Sequence, residues 1–327
     1  MKNHDLTASA KAAENSSIFS SASIGAEMPE KRRKLTADNY AAAAQSTATK
    51  RGYANDVRHF CDHGGTIPAT PEQVIAYIVD AASTLAVATL ERRLIAIGKA
   101  CVDAGHPSPI KHVQVKRTMQ GIRRTIGTRQ RRVKPVVKDD LLEMLLVLGQ
   151  QKPVKAARDQ ALLLIGWGSA MRRSELVALR CEDITEHATG LELLIVRSKT
   201  DQEGAGRTCF IPHANGERCP VKALKQWQEL TGIRSGWLFR AVDRHDNVSE
   251  KPLSAQSVAL IVKDAVRRVG GDPSAVSGHS LRSGYCTQAA IAGLQPWQIR
   301  DQTGHTSDLM LARYIRPVQK RKLPSLL

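Results

Sequence analysis

Residues 278–314 read GHSLRSGYCTQAAIAGLQPWQIRDQTGHTSDLMLARY, from Gly278 to Tyr314. His279 and Arg282 stand three positions apart, so on a helix they share one face and can reach a single anion together. Gly293 reads as the stop of that helix, and Gln295-Pro296 starts the next with proline at its first position. Gly304 closes this second helix just before His305, and Thr306 or Ser307 can cap a third that carries Tyr314 towards its end. Short helices joined by tight turns can thus gather His279, Arg282, His305 and Tyr314 around one point, a set of groups suited to a phosphodiester. Taken singly, the histidines read as helix-terminal caps, Arg282 as a surface charge and Tyr314 as half-buried core.

The bulk properties fit a partner of that kind. A chain of 327 residues with 42% hydrophobic content can hold two domains and a tail, and only 4% aromatic residues points to aliphatic helix packing. A formal net charge of +17 and a pI near 9.9 predict attraction to a polyanion, with nucleic acid as the leading partner. No apolar run of about 18 residues and no signal-peptide pattern is present, so a soluble, cytoplasmic, nucleoid-associated protein without a membrane partner is expected. Cys61, Cys101, Cys181, Cys209, Cys219 and Cys286 form no C-x-x-C pair, which argues against zinc fingers and against a disulfide scaffold. His59, Cys61 and His63 read as a helix end before Gly64-Gly65 rather than as a metal site.

Taken in order, residues 1–37 lack a sustained period and are expected to form a disordered tail; its basic run Lys31-Arg32-Arg33-Lys34 either touches phosphate or is simply solvated. Over 38–127 the period is helical, in blocks Thr47–His63, Pro71–Ala82, Leu85–Ala104 and Ile110–Ile126. Leu90, Leu94, Ile97 and Cys101 form an apolar stripe, with Arg92, Arg93 and Lys99 off it. The last block carries Lys116, Arg117, Arg123 and Arg124, so a small bundle with a basic exterior is predicted. Residues 128–138, TRQRRVKPVVK, read as a basic linker that includes Arg131 and Arg132.

The remaining segment, 139–327, begins with helices over Asp139–Leu148 and Ala156–Gly166, then Arg172 and Glu175, which alone would pass for a helix-surface ion pair. Leu191, Leu193 and Ile195 alternate, a polar turn SKTDQEGAG follows with Lys199 at its shoulder, and Thr208–Ile211 returns as a second strand. No G-K-[ST] follows that glycine-containing turn, so it is not a nucleotide-binding loop. A short extended piece at Trp237–Arg240 separates helices over Pro220–Leu230 and Ser254–Val269. The fold class is therefore mainly α: an N-terminal helical bundle, then an α+β domain that is mostly helical with a small antiparallel sheet.

GHSLRSG, TGHTSDLMLARYIR and the upstream AMRRSELVALR together resemble the tyrosine recombinase (phage integrase) family, over roughly the last two thirds of the chain. The H-x-x-R element, the G-H element and a tyrosine nine residues after that histidine all match the family pattern. The resemblance implies that the first domain is a SAM-like core-binding domain clamping DNA opposite the catalytic domain, with Arg92, Arg93, Lys99, Lys116, Arg117, Arg123, Arg124, Arg131 and Arg132 as candidate DNA contacts. It assigns Arg172, rather than Arg173, and Arg282 to the phosphate, His279 and His305 to phosphate contact and proton handling, Lys199 to general acid on the 5′ oxygen, Tyr314 to the nucleophile, and Glu175 to holding Arg172. A free phenol ionises near pH 10, so the arginines and histidine are expected to favour phenolate.

The implied product is a 3′-phosphotyrosyl intermediate with a free 5′ hydroxyl, formed without ATP, metal or any other cofactor. No carboxylate cluster of the two-metal kind is visible in the sequence. The implied partners are double-stranded DNA with an inverted-repeat site and further copies of the chain, as a homotetramer on two sites. Two other readings compete: a type IB topoisomerase-like enzyme that relaxes DNA as a monomer, and a DNA-binding regulator without catalysis. Integration, excision, resolution and inversion remain open among the recombinase uses.

Overall fold

In the computed structural model the described residues are 36–37, 39–40, 44–129, 132–198 and 206–320. Expectations that fall on the tail before residue 36, on Arg131 and on Lys199 lie outside them. The chain divides into two compact units, residues 1–130 and 131–327.

The first unit is all helical in its described part. Helix α1 spans Thr47–Asp62, with the Ser46 side chain accepting from the Thr49 amide. Helix α2 is Pro71–Ala81, opened by a capping box between Thr70 and Gln73 and by proline in its first turn. Helices α3 (Val87–Asp103) and α4 (Val113–Ile126) follow. The predicted stripe of α3 is buried: Leu90, Leu94, Ile97 and Cys101 pack with Phe60, Val74, Tyr77, Ile78, Val115 and Met119. Removing such a side chain from water stabilises the fold by about 2 kcal/mol, so this core is sufficient reason for four helices of modest intrinsic propensity to hold together.

The second unit opens with an extended strap, residues 132–137, rather than with a free linker. Within it the Lys134 amide donates to Ala275 O at 2.7 Å, the Val136 amide to Ser280 O at 3.0 Å, and Val136 O accepts from Trp167 Nε1 at 2.9 Å. Val136 is buried. Sequence reading classed this piece with the linker because of its charges and Pro135; its backbone donors and acceptors, invisible in side-chain composition, hold it down.

Helices α5 (Lys138–Leu148) and α6 (Pro153–Gly168) come next, and α6 is buried on nearly every side from Ala156 to Gly166, as the central helix of the unit. Helix α7 is the short Arg173–Ala178. The expected hairpin is a three-stranded antiparallel sheet, β1 (Ile184–His187), β2 (Gly190–Ile195) and β3 (Arg207–Pro212), in the order β1-β2-β3, with Leu191 opposite Ile211 and Ile195 opposite Arg207. Strand β1 escaped the sequence reading because it is largely exposed and does not alternate.

Helix α8 spans Pro220–Thr231 and ends at Gly232 in the left-handed region. A second small hairpin, β4 (Arg240–Val242) with β5 (Val248–Pro252), replaces the predicted extended piece at Trp237–Arg240, where Trp237 makes only an isolated bridge to Arg180. Helices α9 (Ala255–Arg268), α10 (Ser280–Ile291), α11 (Pro296–Thr303) and α12 (Asp308–Lys320) complete the unit. The strap lies against α10 at Gly284, where an added Cβ would overlap the Val136 carbonyl. Gly293 (φ 86°) and Gly304 (φ 65°) make the two turns that bring α10, α11 and α12 together, as their positions in the sequence predict.

Candidate active site

Three turns of the second unit converge. The first follows α6: Ala170 has φ 51°, a left-handed conformation for a residue with a Cβ, and its carbonyl accepts from Arg282 Nη1 at 2.7 Å. Strain of this kind persists only where surrounding contacts fix it; here Ala170 is fully buried and its carbonyl is held by a guanidinium. Arg172 then stands at the start of α7. Its amide donates to Glu175 Oε2 at 3.0 Å and its Nη1 to Glu175 Oε1 at 2.6 Å, so the carboxylate caps the helix and aims the guanidinium at once. The neighbouring Arg173 is exposed.

The second turn leads into α10, with His279 just before the helix and Arg282 inside its first turn. Arg282 is 1% exposed, the reverse of a surface charge. Its Nη1 also donates to Thr303 O at 2.6 Å, while Nη2 is buried without a hydrogen-bond partner. Burial, then the nearby Arg172, pushes its pKa down to about 10, which still leaves it charged at neutral pH. An unfilled guanidinium donor in a buried site is what an incoming phosphate oxygen would complete.

The third turn, at Gly304, presents His305, which is 6% exposed. Its Nδ1 lies 2.7 Å from Thr303 Oγ1, and that hydroxyl donates its one hydrogen to Ile299 O at 2.6 Å. Nδ1 is therefore the protonated nitrogen and Nε2 the free acceptor. Burial, with Arg282, Arg172, His279 and Arg207 nearby, holds the His305 pKa down to about 3, so the ring is neutral. Burial and the same two arginines, Arg282 and Arg172, also lower His279.

Tyr314, on α12, is half-buried, and its hydroxyl lies 2.8 Å from His279 Nε2. Its pKa is raised, by burial first and by Cys286 next, against opposing effects of Arg282, Arg313 and Arg132. The expectation that surrounding cations favour phenolate is thus reversed in the DNA-free protein: desolvation wins and the group is a phenol with an imidazole in contact.

Of the sequence-predicted residues, the fold brings Arg172, Glu175, His279, Arg282, His305 and Tyr314 together. Two participants went unread. Thr303 sets the His305 tautomer, and Arg207 at the start of β3 donates through Nη1 to Gln302 O at 2.9 Å, with Nη2 3.5 Å from Glu175 Oε2. Arg207 was legible by parity: it lies on the same strand face as Cys209 and Ile211, both buried.

The candidate DNA contacts fall into two groups. Arg92 meets Asp56 through Nε and Nη2, each at 2.8 Å, and Arg93 turns inward to Tyr77 Oη at 2.8 Å and His59 Nδ1 at 2.7 Å. Lys99 pairs with Asp103 at 3.0 Å and Arg123 with Glu91 at 2.8 Å. Lys116, Arg117 and Arg124 are exposed on α4, opposite its buried Val115 and Met119, and Arg132 is exposed on the strap. His59 and His63 stack at 4.1 Å between ring centroids. No described helix is long and apolar enough to cross a membrane.

Comparison with known proteins defines the class. The Phage integrase family matches residues 136–321. The integrase/recombinase xerD homolog of Selenomonas ruminantium is 37% identical over 293 residues, covering 87% of this chain and 86% of the relative. Recombinase cre of Escherichia phage P1 is 25% identical over 267 residues, 76% of each chain. In fold, the Tn1549 transposon integrase in complex with transposon right end DNA gives a TM-score of 0.62 at 15% identity, covering 88% of this chain and 96% of that one. A lambda integrase dimer bound to a COC′ core site gives 0.59 at 17% identity, covering 88% and 95%. The chain belongs to the phage integrase family. It is a site-specific tyrosine recombinase, an enzyme that cleaves and rejoins DNA.

Proposed function

We propose that this recombinase exchanges strands through a 3′-phosphotyrosyl intermediate on Tyr314. The observation that carries the reading is the 2.8 Å contact between Tyr314 Oη and His279 Nε2, set beside Arg172, Arg282 and His305. Arg172 and the unfilled Nη2 of Arg282 hold the non-bridging oxygens of the scissile phosphate and take up the charge that grows on them. Tyr314 Oη attacks phosphorus while its proton passes to His279 Nε2. The P–O5′ bond breaks, and the 5′ oxygen leaves as a hydroxyl with a proton from Lys199, the residue that matches the family's general acid. His305, with Nδ1 occupied by Thr303, turns Nε2 to the phosphate; as negative charge grows on the non-bridging oxygens the ring takes up a proton from solvent at Nε2 and donates it to one of them as a hydrogen bond.

In the reverse sense a 5′ hydroxyl from another strand attacks the phosphotyrosine, and Tyr314 recovers its proton. The phosphodiester bond energy is kept throughout. Repeating the exchange on two duplexes requires four copies of the chain on paired inverted-repeat sites, with Lys116, Arg117, Arg124 and Arg132 against the DNA backbone.

The test begins with duplexes selected from a random library by Tyr314→Phe protein, then rebuilt with a nick beside the cleavage point so that the intermediate is trapped. Wild type is expected to form a denaturant-resistant adduct whose digest carries a nucleotide on the Tyr314 peptide, and Tyr314→Phe to form none. Tight binding with no adduct on any nicked duplex, or an adduct that survives Tyr314→Phe, rules the reading out.

A further inference from the structure

We propose that Arg207 is a positioning residue of this centre, tying the Arg172–Glu175 pair to the turn that presents His305. The proposal rests on the strand-exchange reading above and assigns a further residue to it.

Arg207 opens β3 opposite Ile195 and faces the same side as the buried Cys209 and Ile211. From there it reaches two of the three converging turns. Nη1 donates to Gln302 O at 2.9 Å, within the last turn of α11 and three residues before His305. The guanidinium also lies against Gly304: a Cβ added there would come within 2.6 Å of Arg207 Nε. Towards Glu175, Nη2 stands at 3.5 Å from Oε2, an ion-pair distance without hydrogen-bond geometry, and both Nε and Nη2 are buried without a hydrogen-bond partner. The same Glu175 holds Arg172 through its other oxygen.

Gln302 strengthens the tie. Its Nε2 donates to Gly168 O and to Phe210 O, each at 2.8 Å, and its Oε1 accepts from the Phe210 amide at 3.3 Å. Strand β3 is thereby fastened to the end of α6, from which the Ala170–Arg172 turn departs, and to the end of α11, from which His305 departs. A rigid fork suits a side chain that must address a carbonyl and a carboxylate in different directions; an ammonium on a flexible stem does not. The carboxylate of Glu175 is shared between Arg172 and Arg207, while Arg282 donates to backbone carbonyls, so cations outnumber the anion and the surplus positive charge is left for the phosphate.

Arg207→Gln and Arg207→Lys in the full-length chain test this, on the nicked duplex selected above, with histidine ring NMR of the DNA-free protein as a second readout. Duplex affinity should stay within about twofold, since Arg207 is not placed on the DNA. Adduct formation should slow about a hundredfold in Arg207→Gln and about tenfold in Arg207→Lys, the scale expected when reacting groups are displaced by about an ångström. The His305 ring resonances should shift in both variants while those of His187 stay in place. Wild-type adduct rates in Arg207→Gln overturn the proposal. So does a slowed reaction with unmoved His305 resonances, because Arg207 would then act without holding the turn. If Arg207→Gln fails to fold, Arg207→Lys decides by the same criteria. Failure of wild type to form any adduct defeats the strand-exchange reading instead, and the His305 resonances still judge the tie.

Discussion

Each unit buries a tyrosine against a histidine, with arginine close by. In the first, Tyr77 Oη lies 3.1 Å from His59 Nδ1 and accepts from Arg93 Nη1 at 2.8 Å; in the second, Tyr314 Oη lies 2.8 Å from His279 Nε2. Burial raises both phenols. What separates the clusters is how the arginines are paired with carboxylates. Around Asp56 the guanidiniums of Arg92 and Arg93 donate to the carboxylate, the phenol and the imidazole, and Arg93 Nε is buried 3.6 Å from Asp56 Oδ1 without a hydrogen-bond partner. Glu175 is shared by Arg172 and Arg207, while Arg282 donates only to the backbone carbonyls of Ala170 and Thr303 and keeps Nη2 buried without a partner. A tyrosine, a histidine and an arginine in contact do not make a reactive centre; the difference here is a buried guanidinium that no carboxylate pairs, with a donor left over.

The largest test of that contrast is to remove the two phenol oxygens in turn. Tyr314→Phe should lower adduct formation by more than about a thousandfold. Tyr77→Phe should leave it within about twofold while costing about 1 kcal/mol in urea unfolding. Next in size is the pair Arg282→Ala and Asp56→Asn. Loss of the buried guanidinium should destabilise by about 3 kcal/mol and stop cleavage, whereas Asp56→Asn should cost about 2 kcal/mol and spare the chemistry on saturating DNA. An Asp56→Asn protein that binds DNA normally but no longer cleaves would break the comparison.

A smaller effect concerns acid. His305 has a folded pKa of about 3 against an ordinary 6.5, so between those values the unfolded chain binds the extra proton. Its contribution to stability is complete above pH 6.5 and is lost as pH falls towards 3. The urea midpoint of wild type should therefore fall more steeply through this window than that of His305→Gln. Smallest is the exposed charge of α4 proposed to meet DNA: each of Lys116→Gln, Arg117→Gln and Arg124→Gln should reduce the slope of log affinity against log salt by about 0.9. Arg93→Gln should leave that slope alone, because its side chain is only 12% exposed and turned inward.

Much of this was legible beforehand for definite physical reasons. Helix stops at Gly293 and Gly304 need positive φ, and the stripe of α3 has a period, so both show in one dimension. The grouping of His279, Arg282, His305 and Tyr314 followed from those turns. Strand β1 and the β4–β5 hairpin did not show, since short exposed strands carry no alternation. The burial of Arg282 does not show in the sequence, because its partners are the carbonyls of Ala170 and Thr303, which any residue could supply. Protonation was harder still: the field of the arginines could be foreseen, but the desolvation that outweighs it at Tyr314 depends on packing.

The strap has a practical meaning for modular exchange. Val136 presses its backbone against Gly284, a helical position where any side chain would collide with it, and Ser280, next to His279, accepts the Val136 amide. Residues 132–137 thus behave as the first part of the cutting module. Grafting a different first domain onto this chain calls for a splice before residue 132; a join placed at Asp139 would discard the piece that seats the helix carrying Arg282 and leave a furrow along Gly284.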